Sequence, residues 1–211
     1  MTSASWVFLV IAIAAAVLDW AAVARDSARL EYVCKPLATL ALLATATTLD
    51  VAQNATWTWR IVALAFCLVG DVFLMLPRDA FVPGLASFAV AQVLFTVSFA
   101  VDDTNVGRLV LGVAVAVPAA IMLSRRFVAG IRRAGRPELV TPVVVYVTVI
   151  SAMAVASIAA GGAAAIVGAI LFMASDSLIA ESRFVKERSW HGVGIMVTYH
   201  AALLGLVLGL L

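Results

Sequence analysis

Residues 139–175, LVTPVVVYVTVISAMAVASIAAGGAAAIVGAILFMAS, run for 37 positions without a charged side chain, and Asp176 follows at once. One helical crossing of a bilayer takes about 20 apolar residues, so the run is too long for a single span. Its one break, Gly161-Gly162, is too short for a loop. Two membrane helices joined by a tight turn satisfy both facts, and the second then carries a carboxylate inside LFMASDSLIA.

The rest of the chain reads the same way. Of its 211 residues, 64% are hydrophobic and 12% charged, against about a quarter charged in a soluble domain. Breaks at charges and Gly/Pro pairs leave eight apolar stretches, near 5–24, 33–51, 58–76, 81–101, 106–124, 138–159, 162–181 and 190–210. The expected fold is all-α: one polytopic membrane domain over residues 1–211 with eight transmembrane helices. The N-terminal MTSASWVFLVIAIAAAVLDW has no basic leader region, so it is expected to remain as the first span. Cys34 and Cys67 form no CxxC and sit among apolar residues, which points to buried free thiols. No basic tract is interleaved with aromatics, so nucleic acid is not an expected partner.

Twelve of the fourteen Lys and Arg residues fall at the connections after the first, third, fifth and seventh stretches, the third of these being the Arg125–Arg136 cluster and the second containing Arg78. Only Arg60 and Arg108 lie on the other side. Positive charge is retained in the cytoplasm, so these odd connections are expected to be cytoplasmic and both termini outside, in the cell's cytoplasmic membrane. Trp6, Trp57, Trp59 and Trp190 suit the aromatic belts at the two interfaces.

A second aspartate, Asp71 in CLVGDVFLML, matches Asp176 in setting. A carboxylate at the centre of a membrane helix costs about 2.5–3.5 kcal/mol even on a lenient scale, and a residue kept at that cost marks a functional site. At 1.5 Å per residue both lie about two turns inside the cytoplasmic edge. Asp19 and Lys35 fall toward the same side, while Gln92, Tyr199 and His200 lie near mid-membrane, so the polar groups are expected to share one cavity opening to the cytoplasmic leaflet. The plainer reading of the aspartates is a snorkelling helix end or an interhelical hydrogen bond. For Lys35 it is an interfacial charge, and for Gln92, Tyr146 and Tyr199 it is interhelical glue. His191 reads as an interface residue, and Gly205 and Gly209 as a close-packing GxxxG.

Asp71 follows Pro36 by 35 residues and Asp176 follows Pro142 by 34. Each Pro is expected to open a helix, where its missing N–H has no partner to lose. A Phe follows each Asp near a cytoplasmic connection, Phe81 or Phe184, and the next helix carries Gln92 or His200. Four helices per half would make a 4+4 parallel repeat that brings the two aspartates together across a pseudo-twofold axis along the membrane normal.

The ordered segments EYVCKPLATLALL, FCLVGDVFLML, FVPGLASFAVAQ, TPVVVYVTVISAM, GAILFMASDSLIAESRF and MVTYHAALLGL resemble the YhhN-like lysoplasmalogenase family over nearly the whole chain, most specifically in GDVFLML and LFMASDSLIA. The resemblance implies a multi-pass hydrolase that cleaves the vinyl ether of lysoplasmalogens to a fatty aldehyde and a glycerophospho-ethanolamine or glycerophosphocholine. The family's two aspartates carry over onto Asp71 and Asp176, and its Lys-Pro element onto Lys35 and Pro36. His200 departs from relatives that have an amide after the Tyr.

Vinyl-ether hydrolysis needs a proton delivered to carbon and a water to capture the resulting oxocarbenium ion. Two carboxyls in different environments can divide that work, one protonated and one ionised. Ser175 beside Asp176 offers a local hydrogen bond that would favour its ionised form and leave Asp71 as the acid. Lys35 is expected to meet the phosphate of a lysophospholipid, with Gln92, Tyr146, Tyr199 and His200 orienting water or glycerol oxygens. Neither a cofactor nor a metal is expected, since His191 and His200 alone cannot build a three-His zinc site. Ser175 and Ser177 lack a nucleophile-elbow context. The competing reading is a proton-coupled transporter, which broken helices at the carboxylates would favour.

Overall fold

The computed structural model describes residues 1–76 and 80–211; the expected break at Pro77-Arg78, and with it the Arg78 charge, lies outside the described residues. Among those residues there are eight α-helices and no strand: α1 (Ser3–Ala24), α2 (Ala28–Thr47), α3 (Ala55–Met75), α4 (Phe81–Ala100), α5 (Val106–Arg133), α6 (Val140–Ala160), α7 (Ala163–Phe184) and α8 (His191–Leu208). Seven of them are long and apolar enough to cross a membrane; α2, with Arg29, Glu31 and Lys35 in its first eight residues, is not among the seven.

The helix ends follow local chemistry. Thr2, Asn54 and Asn105 precede α1, α3 and α5, and each side-chain oxygen accepts the backbone N–H three residues on, at 3.0, 2.9 and 3.0 Å. That supplies a partner to a donor the helix start cannot satisfy itself. The α6–α7 turn is the expected one. Gly161 and Gly162 have φ of +92° and +86°, a conformation only glycine adopts without strain, and two residues suffice to reverse the chain.

Two boundaries differ from the sequence reading. Pro36 does not open α2, which starts at Ala28; the polar first turn of α2 adds residues that a hydropathy boundary discards. Helix α5 continues to Arg133, well past the apolar stretch, because Phe127 and Ile131 on its extension are buried against Leu139, Val143 and Phe184.

The helices form four hairpins, α1–α2, α3–α4, α5–α6 and α7–α8, joined by α4 against α6, α2 against α3, α6 against α7, and α8 against α1 and α2. An aromatic core of Phe88, Phe95, Phe172 and Tyr199, in edge-to-face contacts with centroids 5.6 to 6.5 Å apart, binds α4, α7 and α8. The two basic residues away from the odd connections, Arg60 and Arg108, serve as helix stops. Arg60 is 1% exposed, donates to the carbonyl of Gly209 at 2.9 Å past the end of α8 and lies 4.7 Å from the centre of the Phe99 ring. Arg108 donates to the carbonyls of Ala159 and Ala160 at the end of α6. Each cation meets carbonyls that have no intrahelical donor.

Helices α7 and α8 touch backbone to backbone. A Cβ on Gly205 would fall 2.8 Å from the Ala164 carbonyl oxygen and from the Gly168 Cα. Gly205→Leu should therefore push the pair apart, at a cost of at least the ~1–3 kcal/mol typical of overpacking. Thermal unfolding in detergent is expected to show a lower midpoint for this variant and no change for Val110→Leu on the outer face of α5.

Candidate functional site

Lys35 and Thr39 are four residues apart on α2, so both face α3 from one side of the helix. Between them and α8 sits Asp71, with no exposed surface. Its Oδ2 accepts from the Thr39 hydroxyl at 2.6 Å and from the Tyr199 hydroxyl at 2.8 Å, and its Oδ1 is 3.8 Å from the Lys35 ammonium. One carboxyl thus ties α2, α3 and α8 together. Lys35 is 5% exposed and committed to Asp71, a burial that differs from the interfacial phosphate contact expected of it.

Two further polar groups adjoin this cluster. Asp19 on α1 is fully buried and, among the described residues, neither of its oxygens has a hydrogen-bond partner; Lys35, Glu31 and Asp71 lie within its electrostatic reach. His200 accepts at Nδ1 from the Trp20 indole N–H at 3.0 Å, and among the described residues its buried Nε2 has no hydrogen-bond partner. His191, read from the sequence as an interface residue, is instead 2% exposed beneath Trp190, with ring centroids 4.5 Å apart.

Asp176 has different surroundings. Its Oδ2 accepts from the Tyr146 hydroxyl at 2.5 Å, the one partner recorded for it among the described residues. Gln92, fully buried, lies beside that hydroxyl. Ser175 is not a partner of Asp176, since its hydroxyl points to α8 and donates to the Ile195 carbonyl at 3.1 Å. The expected local hydrogen bond is therefore replaced by an interhelical one, because Ser175 and Asp176 face different sides of α7. Asp176 lines a narrow cavity between α3, α4, α5, α6 and α7, whose other walls are nearly all apolar, among them Leu74, Phe88, Phe127, Val147 and Met173. At its end nearest the α7–α8 connection, Phe81 and Phe184 meet edge to face at 5.8 Å, Arg183 lies 4.1 Å over the Phe81 ring, and Arg126 holds Glu181 through two 2.6 Å hydrogen bonds.

Asp71 is not part of that lining. The sequence reading put both carboxyls in one cavity; here each has its own hydrogen-bond partners, and Phe88, Phe172 and Tyr199 form an aromatic wall beside them. Cys67, fully buried, is within electrostatic reach of both. Thr39, Trp20 and Cys67 were not among the sequence candidates. Thr39 was within reach of sequence reasoning, through its four-residue spacing from Lys35; Cys67 and Trp20 become neighbours of the site only by packing.

Fold and site together define a multi-pass α-helical membrane protein with two embedded carboxyl centres, one of them facing an apolar cavity. The chain belongs to the YhhN family, whose profile matches residues 30–210. It is 34% identical to Lysoplasmalogenase TMEM86B of Homo sapiens over 149 residues, which are 71% of this chain and 62% of the human protein. It is 30% identical to the Rattus norvegicus protein of that name over 179 residues, 84% of this chain and 71% of the rat protein. The match thus spans less than two thirds of the human relative. No solved structure matches.

Removing one member of a buried ion pair leaves the other uncompensated, a loss of about 3–5 kcal/mol. Lys35→Met should therefore destabilise the protein strongly, and adding Asp71→Asn should recover much of the loss. A double-mutant cycle on thermal stability in detergent checks this coupling.

Proposed function

We propose that this chain is a membrane lysoplasmalogenase that hydrolyses the vinyl ether of a single-chain lysophospholipid through Asp176 and Asp71. The observation that carries the proposal is the asymmetry of the two carboxyls. Asp71 is surrounded by an ammonium and two hydroxyl donors, which suit a carboxylate, whereas Asp176 has one hydroxyl and an apolar cavity. The roles are then the reverse of the sequence reading: Asp176 is the acid and Asp71 the charged partner. The name carried by the relatives supports the same chemistry.

In this reading the alkenyl chain lies in the apolar cavity with its double bond against Asp176. The Asp176 proton goes to the second carbon of the chain, and the first carbon becomes an oxocarbenium ion. Negative charge on Asp71, and on Asp176 once it has given up its proton, stabilises that ion. Water adds to the first carbon and returns a proton to Asp176, and the hemiacetal collapses to a fatty aldehyde and the free glycerol hydroxyl. The net change is addition of one water. Tyr146 holds the Asp176 carboxyl in place, with Gln92 beside it positioned to orient the water. Lys35, Thr39 and Tyr199 position Asp71 and keep it charged. The glycerophospho group lies toward Arg126 and Arg183. A proton-coupled carrier is less well supported, because α3 and α7 run unbroken through Asp71 and Asp176.

Purified protein in detergent should release aldehyde from an alkenyl lysophospholipid. General acid–base groups contribute about 10²–10⁴-fold, so Asp176→Asn should reduce kcat on that scale and Tyr146→Phe by less, with folding intact, while Asp71→Asn, which leaves Lys35 uncompensated, should lower both kcat and thermal stability. Release unchanged in both Asn variants would contradict the assignment.

The same reading includes eight crossings in the cytoplasmic membrane, odd connections inside, and a 4+4 repeat. Its support is the distribution of basic residues, the contact between the repeat-related Phe81 and Phe184, and the matching placement of the α4–α6 and α8–α2 contacts in the two halves. Cys34 and Cys67 are buried, so an introduced cysteine can be labelled selectively. Asp103→Cys should react with an impermeant maleimide on intact cells, and Arg136→Cys only after lysis.

A further inference from the structure

Helix α5 is longer than a bilayer requires. Its 28 residues exceed the roughly 20 of one crossing, and the charge-free stretch 109–124 is followed by Arg125, Arg126, Arg132 and Arg133 within the same helix. Packing fixes the inner face of this extension: Phe127, Gly130 and Ile131 are buried, and a Cβ on Gly130 would collide with the Phe184 carbonyl oxygen of α7. Residues three, four or seven apart share a helix face, so the outer stripe reads Leu111, Val115, Met122, Arg125, Ala129 and Arg132, with Arg133 beside it. Every member of that stripe is exposed. It is apolar over three turns and cationic over the next two, with Arg125 and Arg132 about 10 Å apart along the axis. Arg126 faces the other way and is held by Glu181, and Arg136 pairs with Glu138; among the described residues Arg125, Arg132 and Arg133 have no carboxylate within ion-pair distance.

We propose that the outer stripe of α5 is a binding surface for an anionic diacyl phospholipid, whose chains lie along Leu111, Val115 and Met122 and whose phosphate meets Arg125, Arg132 and Arg133. Charge complementarity selects the head group. Guanidinium forks match the oxygens of a phosphodiester, and three of them with no acid on their face favour a head of net negative charge. A zwitterionic head would bring its own ammonium against them. Continuity selects a lipid over a soluble anion, because the first arginine stands one turn past Met122, where a phosphate at the membrane surface leads its chains down the apolar stripe. An exposed apolar face alone does not make this surface. Helix α1 also exposes Trp6, Val10 and Val17, but it has no basic residue in its last turn, so it serves as an internal comparison. The inference requires that α5 crosses the bilayer and not which side is the cytoplasm, and hydrolysis plays no part in it.

The test uses the full chain in detergent and two diacyl probes with a diazirine in one chain, phosphatidylglycerol and phosphatidylcholine. Each cation near an anionic lipid contributes about fivefold, so photolabelling and peptide mapping should find phosphatidylglycerol adducts between Leu111 and Met122 at least about tenfold above those of phosphatidylcholine. Adducts on α1 should be equal for the two probes. Strong salt should reduce the preference on α5, because the arginines are exposed. Replacing Arg125, Arg132 and Arg133 together by Gln should abolish it without moving the thermal midpoint, and Arg132→Glu alone should weaken it. Lys186→Gln with Arg188→Gln, which removes charge from the neighbouring α7–α8 connection, should leave it intact. Glycerophosphoglycerol, the same head without chains, should not compete at equal concentration. Equal labelling of α5 by the two probes, a preference shared by α1, one that survives salt or the triple variant, one lost in the Lys186 and Arg188 variant, or competition by the chainless head would each overturn the proposal.

Discussion

A carboxyl with no exposed surface, held by one ammonium and two hydroxyls from two other helices, is the constraint around which this molecule is arranged. An aspartate among apolar helices is tolerated only when its charge is answered locally. Answering Asp71 takes Lys35 and Thr39 on α2 and Tyr199 on α8, so the three helices must meet at one depth. That requirement explains why α2 carries Lys35 and Thr39 one turn apart on the face toward Asp71. It also explains why α8 must dock firmly. Gly168 and Gly205 allow close approach to α7, and Arg60 closes the far end of α8, so Tyr199 is held from both directions.

The second carboxyl is built on the opposite principle. Among the described residues Asp176 has a single phenol as partner and otherwise lines an apolar cavity. Two like residues at like positions on α3 and α7 have thus been given unlike surroundings, the condition under which a pair of carboxyls divides acid and base work. Phe88, which lines the Asp176 cavity, packs edge to face on Tyr199, whose hydroxyl donates to Asp71, so one ring contact joins the surroundings of the two carboxyls.

Much of this architecture was legible in the sequence, for definite reasons. Lipid demands long uninterrupted apolar helices, so the number of helices, the glycine turn at Gly161-Gly162 and the placement of Asp71 and Asp176 inside helices follow from where polarity interrupts hydropathy. What escaped is set by side-chain direction. Ser175 and Asp176 are adjacent in the chain but face different sides of α7, so chain proximity suggested a hydrogen bond that helical geometry forbids. Lys35 near a helix start looks like an interfacial charge until α2 is seen to begin seven residues earlier. Asp19 could be noticed but not interpreted, since its meaning depends on which rows of α1, α2 and α8 face one another.

The central claim is that a buried carboxyl delivers a proton to carbon. The most direct measurement is cleavage of an alkenyl lysophospholipid by the purified protein in deuterated water, with rapid trapping of the released aldehyde. The account predicts one deuterium on the carbon next to the carbonyl, a slower rate than in ordinary water, and a collapse of that rate in Asp176→Asn. Aldehyde released without deuterium at that carbon, or at an undiminished rate from Asp176→Asn, would contradict it.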